Sequence, residues 1–254
     1  MKDVLTNAEY WDENAVKITL PVKYERESSP SNQELDNVFV KFLPVGQQYS
    51  FIELGCAPGG WMYYFATRFK FKVFGIDFAP SGVRITKKNL ELLNIEADVF
   101  QEDLLKYPHK NKYDVVFSAG LIEHFRAEKL ESIVNRHFEI VSRGGYVIIS
   151  VPNLRGFNYL YQYLLNKDNI SIHNLDIMNL DFFRQIGASN KNLKVEFIGY
   201  VGRINFGLYT GPKIFGYIHQ CIQIGLSILY QIGIKIPDSK YFSPYILAIY
   251  KREA

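Results

Sequence analysis

Acidic residues lie on both sides of a glycine-rich turn near the start of this 254-residue chain. Glu53 stands just before Gly55, Gly59 closes the turn, and Asp77 ends the next apolar run. A strand, a glycine turn, a helix and a second strand ending in an acid can hold an anionic or zwitterionic group over the turn, while the acid accepts hydrogen bonds from a ribose diol. The pattern therefore predicts a cofactor that carries a nucleoside.

The spacing of the glycines distinguishes between such cofactors. Dinucleotide-binding turns usually follow G-x-G-x-x-G, whereas here three residues separate Gly55 from Gly59, which argues against NAD. Ala57 and Pro58 stand inside the turn, where alanine needs a negative φ and proline imposes one. A plain strand–turn–helix crossover without a ligand stays open at this point, because short glycine motifs are weak evidence.

The segment Phe51–Gly60 resembles motif I of the class I S-adenosylmethionine-dependent methyltransferases, usually written E/D-x-G-x-G-x-G, with Ala57 in place of the middle glycine. Segments 97–105, 113–124 and 142–153 resemble three later motifs of that family, in the same order. The resemblance extends from about residue 49 to residue 153. It implies S-adenosyl-L-methionine as the cofactor and S-adenosyl-L-homocysteine as its product.

The resemblance also implies which residues hold the cofactor. Asp77 stands where the family binds the ribose, and Asp103 where it binds the adenine amino group. The full set of cofactor-binding residues expected from this resemblance is Tyr24, Glu53, Gly55, Cys56, Ala57, Gly59, Asp77, Phe78, Asp103, Leu104 and Ser118.

Apolar runs alternate with helical periods through most of the chain. Strands are predicted near 50–55, 72–77, 96–100, 113–118 and 145–151, and helices near 34–42, 60–69, 81–93, 127–142 and 176–187. This alternation indicates an α/β fold with a parallel sheet covered on both faces. With two further strands near 194–202 and 244–251, the resemblance implies a doubly wound, mostly parallel seven-stranded sheet whose last strand is antiparallel.

We expect one domain over residues 1–254, with a lead-in at 1–48, a cofactor-binding core at 49–153 and substrate-side inserts with the last two strands at 154–254. A net charge of +3 with mixed signs gives no footprint for binding DNA. Two distant cysteines fit a reducing compartment, and residues 1–10 lack the apolar core of a signal peptide. A cytoplasmic protein is predicted, and no pattern bears on its oligomeric state.

The connection between the last two strands is long, at 203–242, where the family usually has a short hairpin. Its stretch 214–234 is uncharged, yet polar residues recur there at helical spacing, namely Gln220, Gln223, Ser227 and Gln231. An amphipathic helix over 212–236 is therefore predicted rather than a transmembrane one. It could be a lid that packs on the core or a helix that lies on a membrane surface.

Methyl transfer from a sulfonium is a direct displacement, so alignment of the reactants is the main requirement. His124 follows the fourth strand and is the candidate general base, since its ordinary pKa suits accepting a proton. In the alternative interpretation, Glu123 and His124 begin a helix and pack structurally. Tyr10, Trp11 or Tyr24 could place an aromatic face against the sulfonium.

A metal site is the third interpretation of this region. Some RNA-end and quinone methyltransferases carry a divalent metal at Glu-x-x-Glu-His, which Glu123, His124 and a distant His173 resemble in part. Gly120 stands where the first glutamate would be, and a metal needs several placed ligands. The sequence therefore predicts no metal.

The expected function is methylation of an oxygen or nitrogen of a small molecule, a sugar or glycan, or a lipid-linked acceptor. Aromatic residues at 157–163 and 206–245 are the predicted surroundings of that acceptor. Ala57–Trp61 also resembles the turn of ribosomal RNA 2′-O-methyltransferases, but 118–121 and 150–153 lack that family's further residues. RNA methylation and a non-catalytic cofactor-binding subunit are the alternatives.

Overall fold

Seven strands form one sheet in the computed structural model of the chain, which describes residues 3–106, 111–202 and 237–253 together with positions 217, 221, 224, 225, 228, 229 and 232. The strands are β1 Ser50–Leu54, β2 Lys72–Asp77, β3 Ala97–Gln101, β4 Tyr113–Ala119, β5 Val141–Pro152, β6 Leu193–Val201 and β7 Tyr245–Arg252. Their order across the sheet is β3-β2-β1-β4-β5-β7-β6. β1 to β5 pair in parallel, whereas β7 runs antiparallel to β5 and β6. The predicted fold class is confirmed.

Strand β5 begins earlier than the sequence predicts. The glycines at 144 and 145 indicate a turn before the strand, but Val141 already pairs with Tyr113. The register then shifts, and regular pairing resumes at Val115 with Tyr146. Gly144 has φ +75°, so the glycine pair forms an irregularity inside the strand rather than a turn before it.

Eight helices are described, α1 Ala8–Ala15, α2 Pro30–Phe42, α3 Gly60–Arg68, α4 Pro80–Leu92, α5 Ala127–Ile140, α6 Gly156–Leu165, α7 Lys167–Ser171 and α8 Leu180–Ser189. Short 3-10 turns lie at 26–28, 122–124 and 175–177. Proline opens α2 and α4, where its missing N–H costs nothing. The helices of the core agree with the prediction, whereas the sequence analysis did not predict α1, α6 and α7 as separate elements.

Both faces of the sheet are covered by apolar cores. Helices α5 and α8 pack on one face, around residues such as Ile133 and Phe183. On the other face an aromatic cluster joins the sheet to α2 and α3, with Phe51 and Phe65 stacked at 4.3 Å between ring centroids. Because parallel strands buried on both faces need apolar residues at successive positions, the short apolar runs of the sequence located these strands well.

A buried acid ties α2 to α3 beside this aromatic cluster. The side chain of Asp36 is only 1% exposed and accepts hydrogen bonds from the Nε of Arg68 at 2.6 Å and the hydroxyl of Tyr64 at 2.8 Å. Arg26 lies 3.1 Å from its other carboxylate oxygen. Burial acts to raise the pKa of Asp36, but the hydrogen bonds from Arg68 and Tyr64 outweigh it and hold that pKa below its usual value.

The predicted amphipathic helix over 212–236 lies largely outside the described residues, and so do its polar positions 220, 223, 227 and 231. Positions 217, 221, 224, 225, 228 and 229 are helical, and their side chains are exposed. No helix in the described part of the chain is long and apolar enough to cross a membrane.

We expect replacement of Asp36 by alanine to lower the free energy of unfolding by about 2–4 kcal/mol, since it leaves Tyr64 and Arg68 without their acceptor. Urea unfolding followed by circular dichroism measures this difference. Because the pKa of Asp36 is lowered by folding, its stabilisation is present above about pH 4 and is lost as the pH falls further. The gap between the two proteins should narrow on acidification.

Asp181→Ala is the matched control, because Asp181 also pairs with an arginine, Arg184 at 2.7 Å, but both side chains are exposed. Its effect should stay below about 1 kcal/mol. Equal losses for the two variants would mean that the buried position of Asp36 contributes nothing special.

Candidate functional site

The turn after β1 is built from two left-handed glycines and backbone hydrogen bonds to β2. Gly55 has φ +72° and Gly59 has φ +87°, a region that L side chains rarely adopt. The N–H groups of Gly55 and Cys56 both donate to the carbonyl of Ile76, at 2.8 and 3.1 Å. Ala57 does not have a positive φ, so an alanine can stand at this position, where the family usually has glycine.

Asp77 ends β2 beside this turn and is fixed by backbone donors. Its Oδ2 accepts from the N–H of Ala57 at 3.3 Å, and its Oδ1 from the N–H of Ala79 at 2.9 Å. The side chain is 8% exposed. Burial raises the pKa of Asp77, against the effect of these hydrogen bonds. The carboxylate is therefore held in one orientation at the mouth of the turn.

A cavity of about 880 Å³ opens at the carboxyl ends of β1 to β4. This is where ligands bind in open parallel sheets. The predicted site residues that line it are Gly55, Ala57, Asp77, Phe78, Asp103, Leu104 and His124. The structure thus brings the two acids expected at ribose and adenine, and the candidate base, to one cavity.

Other predicted residues do not line this cavity. Ser118 is fully buried on β4, and its hydroxyl lies 2.8 Å from the Nε2 of His137. Cys56 is also fully buried, and its sulfur points to Thr86 at 4.0 Å from the hydroxyl. Gly59 caps the start of α3. These three residues support the turn and the sheet from behind the cavity wall.

Glu53 and Tyr24 lie together near the start of α3, also outside the lining of the cavity. Burial raises the pKa of Glu53 well above its usual range, against a hydrogen bond from the N–H of Met62 and together with the charge of Asp77. Burial, assisted by Tyr245 and Glu53, raises the pKa of Tyr24 to about 12. Their contact with the cofactor stays a prediction.

The first part of the lead-in forms the outer wall of the cavity, from Val4 to Trp11. Val4 bridges to Phe125, and the N–H of Leu5 donates to the carbonyl of His124 at 2.9 Å. Trp11 lies edge-on to the His124 ring, with 5.1 Å between centroids. Trp11 therefore lines the cavity beside His124, whereas Tyr24 does not line it.

Asn89 was missed by the sequence analysis although it holds the lead-in and the turn together. This fully buried side chain bonds both the N–H and the carbonyl of Val22 at 2.7 Å and the carbonyl of Pro58 at 2.9 Å. Its sequence signal is an asparagine on the apolar face of α4, between Thr86 and Leu90. A polar residue at such a position must find hydrogen-bond partners inside the protein.

Glu123, His124 and His173 meet below the cavity, although His173 is distant in sequence. The rings of His124 and His173 lie 4.9 Å apart. Burial lowers the pKa of His124 to about 3, and the charge of His173 acts in the same direction. Hydrogen bonds to the carbonyls of Ile172 and Gly120 act to raise this pKa but are outweighed. His124 is then neutral at physiological pH and can accept a proton, but it is a weak base, and its catalytic role stays a prediction.

Comparison with known proteins agrees with this geometry. The sequence model of a methyltransferase domain matches residues 51–145, which contain the turn, Asp77, Asp103 and His124. Among curated proteins, the chain is 24% identical over 115 residues to a carboxy-S-adenosyl-L-methionine synthase from Campylobacter jejuni, covering 45% of this chain and 48% of that protein. It is 27% identical over 99 residues to a probable fatty acid methyltransferase from Pseudomonas putida, covering 38% of this chain and 25% of that protein.

The chain thus spans between a quarter and about half of the length of these two curated relatives. Among solved structures, an N-methyltransferase, NodS, from Bradyrhizobium japonicum WM9 in complex with S-adenosyl-L-homocysteine superimposes with a TM-score of 0.54 at 11% identity. That match covers 98% of this chain and all of the other. The fold is shared with that structure, and S-adenosyl-L-methionine is the cofactor that the matches support.

We expect Asp77→Ala to weaken the binding of S-adenosyl-L-homocysteine at least tenfold, because hydrogen bonds to a charged group contribute about 1.5–3 kcal/mol. Isothermal titration calorimetry measures the affinity. Asp77→Asn, which keeps one oxygen acceptor for the turn, should lose less. Asp98→Ala is the control, since Asp98 is exposed on β3 and does not line the cavity. Unchanged affinity in Asp77→Ala would remove Asp77 from the cofactor site.

Proposed function

We propose that this chain, a class I S-adenosylmethionine-dependent methyltransferase, transfers the cofactor's methyl group to an oxygen or nitrogen of a small molecule, a sugar or a lipid-linked compound. The main support for this proposal is a single cavity that is lined by Asp77 and Asp103 and also by Trp11 and His124. The first pair suits a nucleoside. The second pair suits an acceptor beside it.

The residues of the cavity fit the cofactor. Asp77 presents a carboxylate held by backbone N–H groups, as a ribose diol requires. A Cβ at Gly55 would lie 3.2 Å from the side chain of Leu121, so glycine lets Leu121 of the cavity lining pack closely against the turn. Bound there, the cofactor supplies an electrophilic methyl group on a positively charged sulfur.

The protein's own contribution is alignment and exclusion of water. A lone pair of the acceptor forms the new bond to the methyl carbon, the carbon–sulfur electrons stay on sulfur, and the acceptor proton leaves to a base or to water. Positioning of two reactants can supply about 7–11 kcal/mol of such a barrier. The wall of residues 4–11, with the ring of Trp11 beside His124, supports this role.

The size and lining of the cavity favour an acceptor with an apolar body. A volume of about 880 Å³ has to hold the cofactor and the acceptor together, so the acceptor is a small molecule or the end of a larger one. Leu5, Leu121 and Phe125 supply apolar surface. The one lysine in the described lining, Lys106, pairs with Asp103 at 3.1 Å, which gives little support to the RNA alternative.

Contact with a lipid surface is part of this proposal, because it would deliver a lipid-linked acceptor. Helix α6 exposes Leu160, Tyr163 and Leu164, by 50%, 44% and 69%. Lys167 lies over the ring of Tyr163 at 4.4 Å, and Lys240 lies over the exposed ring of Tyr241 at 4.9 Å. Aromatic and aliphatic side chains bordered by lysines are typical of surfaces that meet anionic membranes.

We expect the purified protein to produce S-adenosyl-L-homocysteine when S-adenosyl-L-methionine and a suitable hydroxyl- or amine-bearing acceptor are present. Mass spectrometry of a panel of sugars, lipid-linked sugars and apolar alcohols and amines identifies the product. Trp11→Ala should lower kcat/KM about tenfold or more through lost positioning, and Trp11→Phe less. Val45→Ala, at an exposed apolar residue outside the cavity, is the control. Cofactor binding without turnover on any acceptor would favour the non-catalytic subunit.

We expect the protein to co-sediment with vesicles that contain anionic phospholipid, and Leu160→Asp with Leu164→Asp to abolish most of that binding. The two added charges would have to enter the interface. Val16→Asp is the matched control, because Val16 is an exposed apolar residue on a separate helix end. If both proteins bind vesicles equally, or the wild type does not bind, α6 does not contact a membrane.

A further inference from the structure

Three buried side chains converge beneath the acceptor end of the cavity. One potential ligand atom from each of Glu123, His124 and His173 lies within 4.8 Å of the others. Their exposed fractions are 1%, 4% and 6%. Neither carboxylate oxygen of Glu123 has a hydrogen-bond partner among the described residues. A buried carboxylate in this state is costly, since such groups are normally paired or coordinate a cation.

The two histidines are oriented in the way that metal ligands usually are. The Nδ1 of His124 lies 2.8 Å from the carbonyl oxygen of Ile172, and the Nδ1 of His173 lies 2.5 Å from that of Asn169. A carbonyl can only accept, so both Nδ1 atoms carry the proton. The Nε2 of each ring then carries the lone pair that would coordinate an ion, and the carbonyl of Gly120 also interacts with the His124 ring. A second hydrogen bond that fixes the tautomer is the common arrangement around a metal-binding histidine.

We propose that Glu123, His124 and His173 bind one divalent transition-metal ion. Two imidazoles and one carboxylate suit Zn²⁺, Mn²⁺, Fe²⁺ or Co²⁺, whereas Mg²⁺ and Ca²⁺ prefer oxygen ligands. Ligands about 2.0–2.2 Å from a tetrahedral ion lie roughly 3.5 Å from one another, so the side chains need to close by only about 1 Å. The cation would satisfy the unpartnered carboxylate of Glu123 and would be coordinated by the two imidazoles.

The site would join two segments that the fold already holds together. Glu123 and His124 belong to the 3-10 turn after β4, whereas His173 belongs to the segment between α7 and α8. The N–H of Asn174 donates to the carbonyl of Glu123 at 2.6 Å, and its side chain donates to the carbonyl of Phe125 at 2.9 Å. Because His124 lines the cavity, the ion would lie directly behind the part of the cavity wall that His124 forms.

The sequence alone predicts no metal. His173 is distant from His124 in the sequence, and Gly120 stands where the first glutamate of the Glu-x-x-Glu-His pattern would be. In the structure His173 is a neighbour of His124, and three ligands are enough for a site that keeps open coordination positions. Ion binding as proposed does not depend on which acceptor is methylated, or on whether methylation occurs at all.

The test is titration of the chelator-treated full chain with Co²⁺ and Zn²⁺. Calorimetry should show one ion per chain, and bound Co²⁺ should give a visible absorption band. Glu123→Gln and His173→Gln should each weaken binding at least tenfold. His137→Gln is the matched control, because His137 is equally buried but both its ring nitrogens are already bonded, to Ile133 and Ser118. Circular dichroism confirms that each variant is folded.

Thermal melting separates a metal ligand from a merely structural carboxyl. Without metal, Glu123→Gln should melt at or above the wild type, because it removes an unpartnered buried acid. With saturating Zn²⁺ the order should reverse, since only the wild type gains stability from the ion. Binding of less than one ion per wild-type chain, affinity that survives in both ligand variants, or an unchanged melting order would each overturn the proposal. Affinity for S-adenosyl-L-homocysteine, measured in parallel, reports separately on the cofactor half of the cavity.

Discussion

The hydrogen bonds that hold the β1–α3 turn against the end of β2 are the constraint on which the site depends. The carbonyl of Ile76 accepts from two successive N–H groups of the turn, and the carboxylate of Asp77 accepts from a third. These bonds can form only because Gly55 and Gly59 adopt left-handed conformations. With the turn fixed, the start of α3, the mouth of the cavity and the orientation of the acid follow from it.

The same constraint accounts for the packing around the turn. Asn89 reaches from α4 to both the turn and the lead-in, so one side chain ties these two segments together. On the other side, a Cβ at Gly75 would lie 2.7 Å from the sulfur of Cys56. The thiol fills the space that this glycine leaves. Small residues and one amide thus allow strand, turn and lead-in to approach closely.

The sequence predicted the sheet well because its signals are local. Apolar runs of five to seven residues, a glycine turn and proline at a helix start each occupy one short window, and strands such as β2 and β4 appear within a residue of their predicted bounds. Asp77, Asp103 and His124 end or follow these strands. Their convergence is a consequence of parallel topology, and so it could be predicted as well.

What the sequence could not predict depends on contacts between distant segments. Nothing near His173 indicates that it meets His124, because the segment after α7 has no regular period and its position is set by Asn174. Ser118 was itself predicted to bind the cofactor, yet its side chain is buried and its hydroxyl lies 2.8 Å from the Nε2 of His137. Successive side chains of a strand point to opposite faces of the sheet, so a shift of one residue moves a side chain from the cavity to the core. Which face borders the cavity is known only once the sheet has packed.

Burial divides the chain's two cysteines into different chemical roles. Cys56 is fully enclosed behind the turn, and burial raises the pKa of its thiol well above the usual range, so little thiolate forms there. Cys221 is exposed at a helical position of the long connection before β7. Alkylating reagents should therefore modify the native chain at one place. A fluorophore attached at that cysteine would respond to the polarity around the connection, without an engineered mutation and without disturbing the cofactor turn.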